Sequence, residues 1–107
     1  MFLKATPWRC VTHRKNVAAL ACVNCGAEGM TQAAHRNEGK GMAIKACDSQ
    51  LMALCWRCHS AIDQGGKYSK ATRREMERGF VDLTRERLIA RGQWPVAAER
   101  AYEKVNA

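Results

Sequence analysis

Apolar and polar residues alternate along this chain at several different spacings, and each spacing predicts a different element. In "THRKNVAALA", Thr12 to Ala21, the residues Val17, Leu20 and Ala21 share one side of a 3.6-residue repeat. That pattern predicts a short helix with Thr12 as its cap. "MTQAAHR", Met30 to Arg36, predicts an extended strand, although its alanines are weak β formers. "NEGKGMAIKACDS" contains Gly39 and Gly41 and reads as a loop. "QLMALC" is a short apolar run leading into Cys55, and "RCHSAIDQ", residues 57–64, reads as a helix ended by Gly65 and Gly66. Ser69 then caps a long helix running to about Arg91, with an apolar stripe of Met76, Phe80, Val81, Leu83 and Leu88. Arg91-Gly92 stops it. Trp94-Pro95 starts a last helix, with proline in its first turn and Val96, Ala97, Tyr102 and Val105 along its length. No internal repeat or low-complexity linker divides the chain, so one α+β domain spanning residues 1–107 is expected.

Size changes this picture. A chain of 107 residues buries only part of its apolar surface, so an added staple is useful. Hydrophobic residues make up 47%, which excludes a disordered chain. The start, Met1 to Pro7, lacks the apolar segment of a secretion signal, and no run of about 18 apolar residues exists to span a membrane. A cytoplasmic location is the expectation. The net charge of +8 points to a polyanion partner, most commonly nucleic acid, with a basic surface used only for solubility as the plainer alternative. The charge is uneven. Lys4, Arg9, Arg14 and Lys15 precede any acid, and from Lys70 to Arg91 seven Lys/Arg face four Asp/Glu.

Cysteine spacing supplies the staple. Cys22 and Cys25 form one Cys-x-x-Cys pair, Cys55 and Cys58 another, with 29 residues between. In a reducing compartment such pairs more often hold metal than form disulfides. Four thiolates make a closed tetrahedral sphere for Zn²⁺, which is structural because no position stays open. Its binding should supply on the order of 10 kcal/mol or more of folding free energy. The competing reading is a redox dithiol or two disulfides. Cys10 and Cys47 remain, and each reads as a small buried apolar residue before it reads as a ligand.

The same stretch carries candidate chemistry. His59 follows Cys58, and Asp63 lies four residues on, so both occupy one helical face. Neighbouring helical residues point about 100° apart, which frees His59 from the thiolate site. A nitrogen and an oxygen ligand side by side suit a divalent ion with open positions. Read singly, His59 is a surface histidine and Asp63 a helix-end polar residue. His35, between the cysteine pairs, is a candidate general base because imidazole titrates near neutrality. It also reads as a satisfied structural histidine. His13 reads as a surface or phosphate-contacting residue, and Trp56 as a packing residue over the zinc site.

Three stretches, "LACVNCG", "QAAHRNEGKGM-IKACD" and "LMALCWRCHSAIDQG", resemble the HNH branch of the His-metal-finger nucleases. In particular they are similar to small phage and prophage nucleases of the Ref-like and YbcO-like type. The resemblance covers residues 18–66, and the helices of 69–107 lie outside it. It implies a zinc-stabilised ββα-metal finger with extra C-terminal helices. His35 matches the general base and His59 the metal-binding histidine. Asp63 falls where many members have a second metal-binding histidine. Asp48 matches an aspartate that binds metal or orients the base. Ala34 stands where many members have an Asp or His ligand, and it cannot ligate. Gln50 falls near the family's asparagine, whose orienting task Gln50, Asp48 or Asn37 would take.

The resemblance implies a Mg²⁺- or Mn²⁺-dependent endonuclease acting on DNA with little sequence selectivity, encoded by a phage or prophage and able to work with a recombination protein. Lys40 and Lys45 in the loop, and Arg73 and Arg74 on the long helix, are candidate phosphate contacts. Each is also readable as a solvated charge, and the arginines as partners of Glu75, Glu77, Asp82 and Glu86 at i, i+3 and i, i+4. The rival function is a non-catalytic zinc-bound module that binds nucleic acid or protein.

Overall fold

The structure, a computed structural model, describes residues 7–37, 47–64 and 66–106. Lys40, Lys45, Gly39, Gly41 and Gly65 lie outside the described residues. The elements in chain order are α1 (Val11–Ala18), β1 (Thr31–His35), a single 3₁₀ turn (Asp48–Gln50), β2 (Leu51–Cys55), α2 (Trp56–Gln64), α3 (Lys70–Ala90) and α4 (Val96–Val105). Among the described residues the result is a small α+β fold, with four α-helices and a two-stranded sheet.

The strands are antiparallel, and the register runs from Thr31 opposite Cys55 to His35 opposite Leu51. Every residue of β2 is buried, which explains why "LMALC" shows no alternation. A two-stranded sheet leaves β2 with an open outer edge, and those backbone groups need partners. Two contributions close it. Val23 N–H donates to the Ala53 carbonyl (2.9 Å), and Ala53 N–H donates to Thr84 Oγ1 (3.0 Å). The buried hydroxyl passes its own proton to the Phe80 carbonyl (2.8 Å). The long helix is therefore part of the core. Phe80, Val81 and Leu88 are buried with Val17, Leu20, Leu51, Met52, Leu54 and Ile62 in one cluster.

Helix ends follow local chemistry, with shifts from expectation. Cys10 caps α1 in place of Thr12, its sulfur accepting from His13 N–H (3.4 Å). Thr12 sits exposed inside the first turn. Ser69 caps α3 as expected, accepting from Thr72 N–H (3.1 Å). At its other end Gln93 N–H bonds the Leu88 carbonyl and Gly92 N–H the Ile89 carbonyl. This Schellman pair requires a left-handed residue, and Gly92 supplies φ of 69°. Pro95 is the cap of α4 and stands just outside its first turn, and Ala98, not Val96 or Ala97, is its buried residue. Arg85 clamps α4 to α3 through both Glu99 oxygens (2.9 Å each). Trp94 Nε1 also donates to Glu99 (2.7 Å), and Tyr102 donates to Asp82 (2.5 Å). Among the described residues no helix is long and apolar enough to cross a membrane.

Candidate metal and nucleic-acid site

Cys22, Cys25, Cys55 and Cys58 converge with all four sulfurs within 4.8 Å of one another. The turn that aims the first pair depends on Gly26, whose φ is 82° and whose N–H bonds the Cys22 carbonyl (2.8 Å). The second pair sits where β2 runs directly into α2, so the backbone changes direction between Cys55 and Cys58. The Cys25 and Cys55 sulfurs are 3.7 Å apart. A tetrahedron with 2.3 Å zinc–sulfur arms has an edge of about 3.8 Å, whereas a disulfide is about 2.05 Å. All six cysteines are free thiols.

The electrostatics also fit a cation. Burial raises the Cys22 thiol, but backbone N–H groups of Cys25, Cys55 and Asn24 outweigh it and bring it down to about 6. Cys58 is pushed up to about 12 by burial and the three neighbouring sulfurs, against the Asn24 amide that donates to it (3.3 Å). Four adjacent thiolates repel one another, and a bound dication removes that penalty. These cysteines can hold an ion such as zinc, closed on all four sides. Cys47 is buried against Ser49 Oγ (3.0 Å), and Cys10 acts as a helix cap, so neither joins the cluster.

His35 lies at the end of the hairpin away from the cysteines, opposite Leu51. α2 leaves β2 at the cysteine end and runs back over the sheet. From Trp56 to Asp63 it rises roughly 10 Å, comparable with the roughly 13 Å from Thr31 to His35 along β1. Asp63 therefore arrives beside the end of β1, where Asn37 Nδ2 donates to its Oδ1 (3.0 Å). Its other oxygen pairs with His59 Nε2 (3.1 Å), as the i, i+4 spacing requires. Strand pairing continues one residue past β1, with Arg36 N–H bonding the Gln50 carbonyl (3.2 Å). Extended alternation then sends the side chains of His35 and Asn37 to one side and Arg36, which is buried, to the other.

His35 is held by Asp48. Nε2 lies 2.9 Å from Asp48 Oδ1, and the Asp48 side chain is 0% exposed. The 3₁₀ turn places Asp48 there, and Cys10 N–H donates to Oδ2 (2.7 Å). A carboxylate only accepts, so Nε2 carries a proton, and in the neutral form of the ring Nδ1 is the nitrogen with the free lone pair. Arg9 and Arg14 flank the same carboxylate at 3.5 and 3.2 Å. Asp48 thus orients His35 from within the core. The two histidines do not bond one another, since each is tied to its own carboxylate.

Several residues were placed differently by their sequence context. Glu77 is buried (2% exposed) and accepts from the Asn37 backbone N–H (3.0 Å) and Nδ2 (3.2 Å), contacts that the sequence did not point to. Asp82 accepts from Tyr102. Asn37, Asp63 and Glu77 line a cleft of about 80 Å³ with Lys70, Arg73 and Arg74, so both predicted arginines share a cleft with Asp63. Lys70 joins them because α3 starts there, which charge patterning alone did not single out. Gln50 is buried and donates to Ser49 Oγ (3.2 Å). His13 is no surface residue. It is buried between Trp8 and Trp94, with ring centroids 4.9 and 5.5 Å away. Burial pulls its pKa below 6.5, partly opposed by the backbone and charge of Asp48. Trp56, expected to pack over the zinc site, is 50% exposed with the Arg57 guanidinium over its ring at 5.5 Å.

Compared with known proteins, the chain matches no family model, no curated protein and no solved structure.

Proposed function

We propose that the chain is a metal-dependent endonuclease of the HNH, His-metal-finger type, hydrolysing phosphodiester bonds of DNA. The observation that carries the reading is the convergence at one end of the hairpin. An oriented imidazole, His35 on Asp48, leaves β1 on the same side as Asn37, whose amide reaches Asp63 and through it His59. The strand–strand–helix order with a cysteine clip at the other end agrees with that family's ββα core. The +8 charge suits a polyanionic substrate.

In this reading His35 Nδ1 takes the proton of the attacking water, and Asp48 stabilises the imidazolium so formed. His59 and Asp63, paired with each other at 3.1 Å, would be the residues to hold a catalytic Mg²⁺ or Mn²⁺, and the Asn37 amide would keep the Asp63 carboxylate in place. A divalent ion bound there supplies Lewis-acid stabilisation of charge on the scissile phosphate and the leaving 3′ oxygen. Lys70, Arg73 and Arg74 border the cleft and steady flanking phosphates, contacts that carry little sequence information.

A second reading, a non-catalytic zinc-bound module, is favoured by one observation. Among the described residues, only the four cysteines form a group of three or more close His, Cys, Asp or Glu ligands, so His59 and Asp63 stand as a pair. Ala34, buried beside His35, adds nothing. Nicking of supercoiled plasmid with Mg²⁺ or Mn²⁺ decides between the two. The enzyme reading expects cutting that His35→Ala abolishes while zinc content and circular dichroism stay unchanged. DNA binding with no cutting under either ion would leave the module.

A further inference from the structure

Asp48 meets four partners at its two oxygens. One oxygen meets His35 Nε2 and Arg9, and the other meets Cys10 N–H and Arg14. Two guanidiniums bear on a single negative charge that lies wholly below the surface. The Arg9 and Arg14 side chains are 49% and 37% exposed above it. Among the described residues these two guanidiniums share Asp48 as their carboxylate, so their joint charge exceeds that of their partner.

The geometry separates this pair from a structural one. Arg85 meets Glu99 with two nitrogens at 2.9 Å each, so its fork is spent on its partner. Arg9 and Arg14 approach Asp48 most closely through Nε at 3.5 and 3.2 Å, longer than the roughly 2.7–2.9 Å of a charge-assisted hydrogen bond. Their attraction to Asp48 restrains them without using up the planar donor fork that matches a phosphate.

We propose that Arg9 and Arg14 form a phosphodiester-binding pair beside His35, restrained by Asp48 beneath them. The proposal rests on the nucleic-acid reading above, and it names the groups that grip the backbone at the base end of the site. Asp48 is then a positioning residue twice over, for the imidazole and for the guanidiniums. A diester carries one negative charge, which the surplus guanidinium charge offsets. An arginine pair held before the ligand arrives loses little side-chain freedom on binding. This gives the N-terminal segment, outside residues 18–66, a task that its unbalanced charge alone left open.

The test is the salt dependence of binding, which needs no cutting. The probe is a fluorescein-labelled 12-base-pair duplex titrated with the full zinc-loaded chain, with no added Mg²⁺ or Mn²⁺. In Arg9→Gln/Arg14→Gln the slope of log Kd against log salt should flatten by about 1, the equivalent of one phosphate contact. In Arg9→Lys/Arg14→Lys the slope should be kept. A slope unchanged in the glutamine pair overturns the proposal, even if plasmid is nicked. A flattened slope without nicking upholds it and removes only the enzymatic reading. Should the double variant unfold, Arg9→Gln alone carries the test, because the more exposed side chain leaves Arg14 on Asp48. A flattening of about half the size then upholds the proposal, and none overturns it.

Discussion

Replacing Thr84 by valine tests how the sheet is held at the edge that the long helix covers. The hydroxyl is buried, accepts the Ala53 N–H at 3.0 Å and donates to the Phe80 carbonyl at 2.8 Å. Valine has nearly the same volume and branching, so no cavity opens. What changes is one hydrogen-bond acceptor. The Phe80 carbonyl keeps its place in the helical ladder, but the Ala53 N–H, in a fully buried strand, is left with no partner. Stranding a buried donor costs about 1–3 kcal/mol. For a domain of this size each kcal/mol lowers Tm by roughly 4–8 °C, so a fall on the order of 10 °C is expected. The assay is thermal and urea unfolding followed by circular dichroism, at a fixed excess of zinc because bound metal contributes to apparent stability. Thr84→Ser keeps the hydroxyl and loses only a methyl, worth about 0.8 kcal/mol. If valine proves as stable as serine, Thr84 does not close the strand edge. The position matters for the site because Ala53 opposes Ala33. A one-residue slip there would turn His35 and Cys55 to the wrong faces.

Three other outcomes are expected. Stripping the metal with a strong chelator should unfold the chain cooperatively, since the four-sulfur site is worth on the order of 10 kcal/mol and whole-domain stabilities are about 5–15 kcal/mol; retention of the far-ultraviolet spectrum in the metal-free protein would contradict this. His13 should make stability fall with acid: burial lowers its folded pKa below 6.5, so the unfolded chain binds the extra proton. The contribution is present above pH 6.5 and lost as pH drops through the lowered folded value, so the stability gap between wild type and His13→Phe should shrink from pH 7.5 to pH 5. A pH-independent gap counts against it. Trp56→Ala should change stability by no more than about 0.5 kcal/mol, because the ring is half exposed and packs on Arg57; a loss of 2 kcal/mol in urea unfolding would restore it to a packing role.

The cysteine pairs and the His59–Asp63 spacing were legible because each is a local rule. A Cys-x-x-Cys turn needs only its glycine, and an i, i+4 pair needs only a helix. The same holds for Ser69 and Gly92, whose capping roles depend on residues one turn away. Cys10 was missed as a cap because sulfur is an uncommon acceptor there, and Thr12 offered a better one on paper.

Long-range partners were out of reach of such rules. A charged residue on a helix looks alike whether it faces water or a core. Glu77 reads as one more acid among arginines until α3 lies against the end of β1 and Asn37 turns both its donors on it. His13 sits in a basic, polar stretch, yet Trp94, from the far end of the chain, covers it. Asp48 reads by sequence as a metal ligand or an orienter of His35, and only the fold shows it buried against His35 Nε2.

What the amino-acid order determined by itself was a set of elements, a four-sulfur clip and the candidate histidines, since these depend on spacing along one helix or one turn. Only the tertiary structure decided which charges meet. Antiparallel pairing and the return of α2 over the sheet bring Asn37 to Asp63, and folding of the N-terminal segment brings Arg9 and Arg14 to Asp48. Electrostatic partners are chosen by distance through space, and spacing along the chain does not encode that distance.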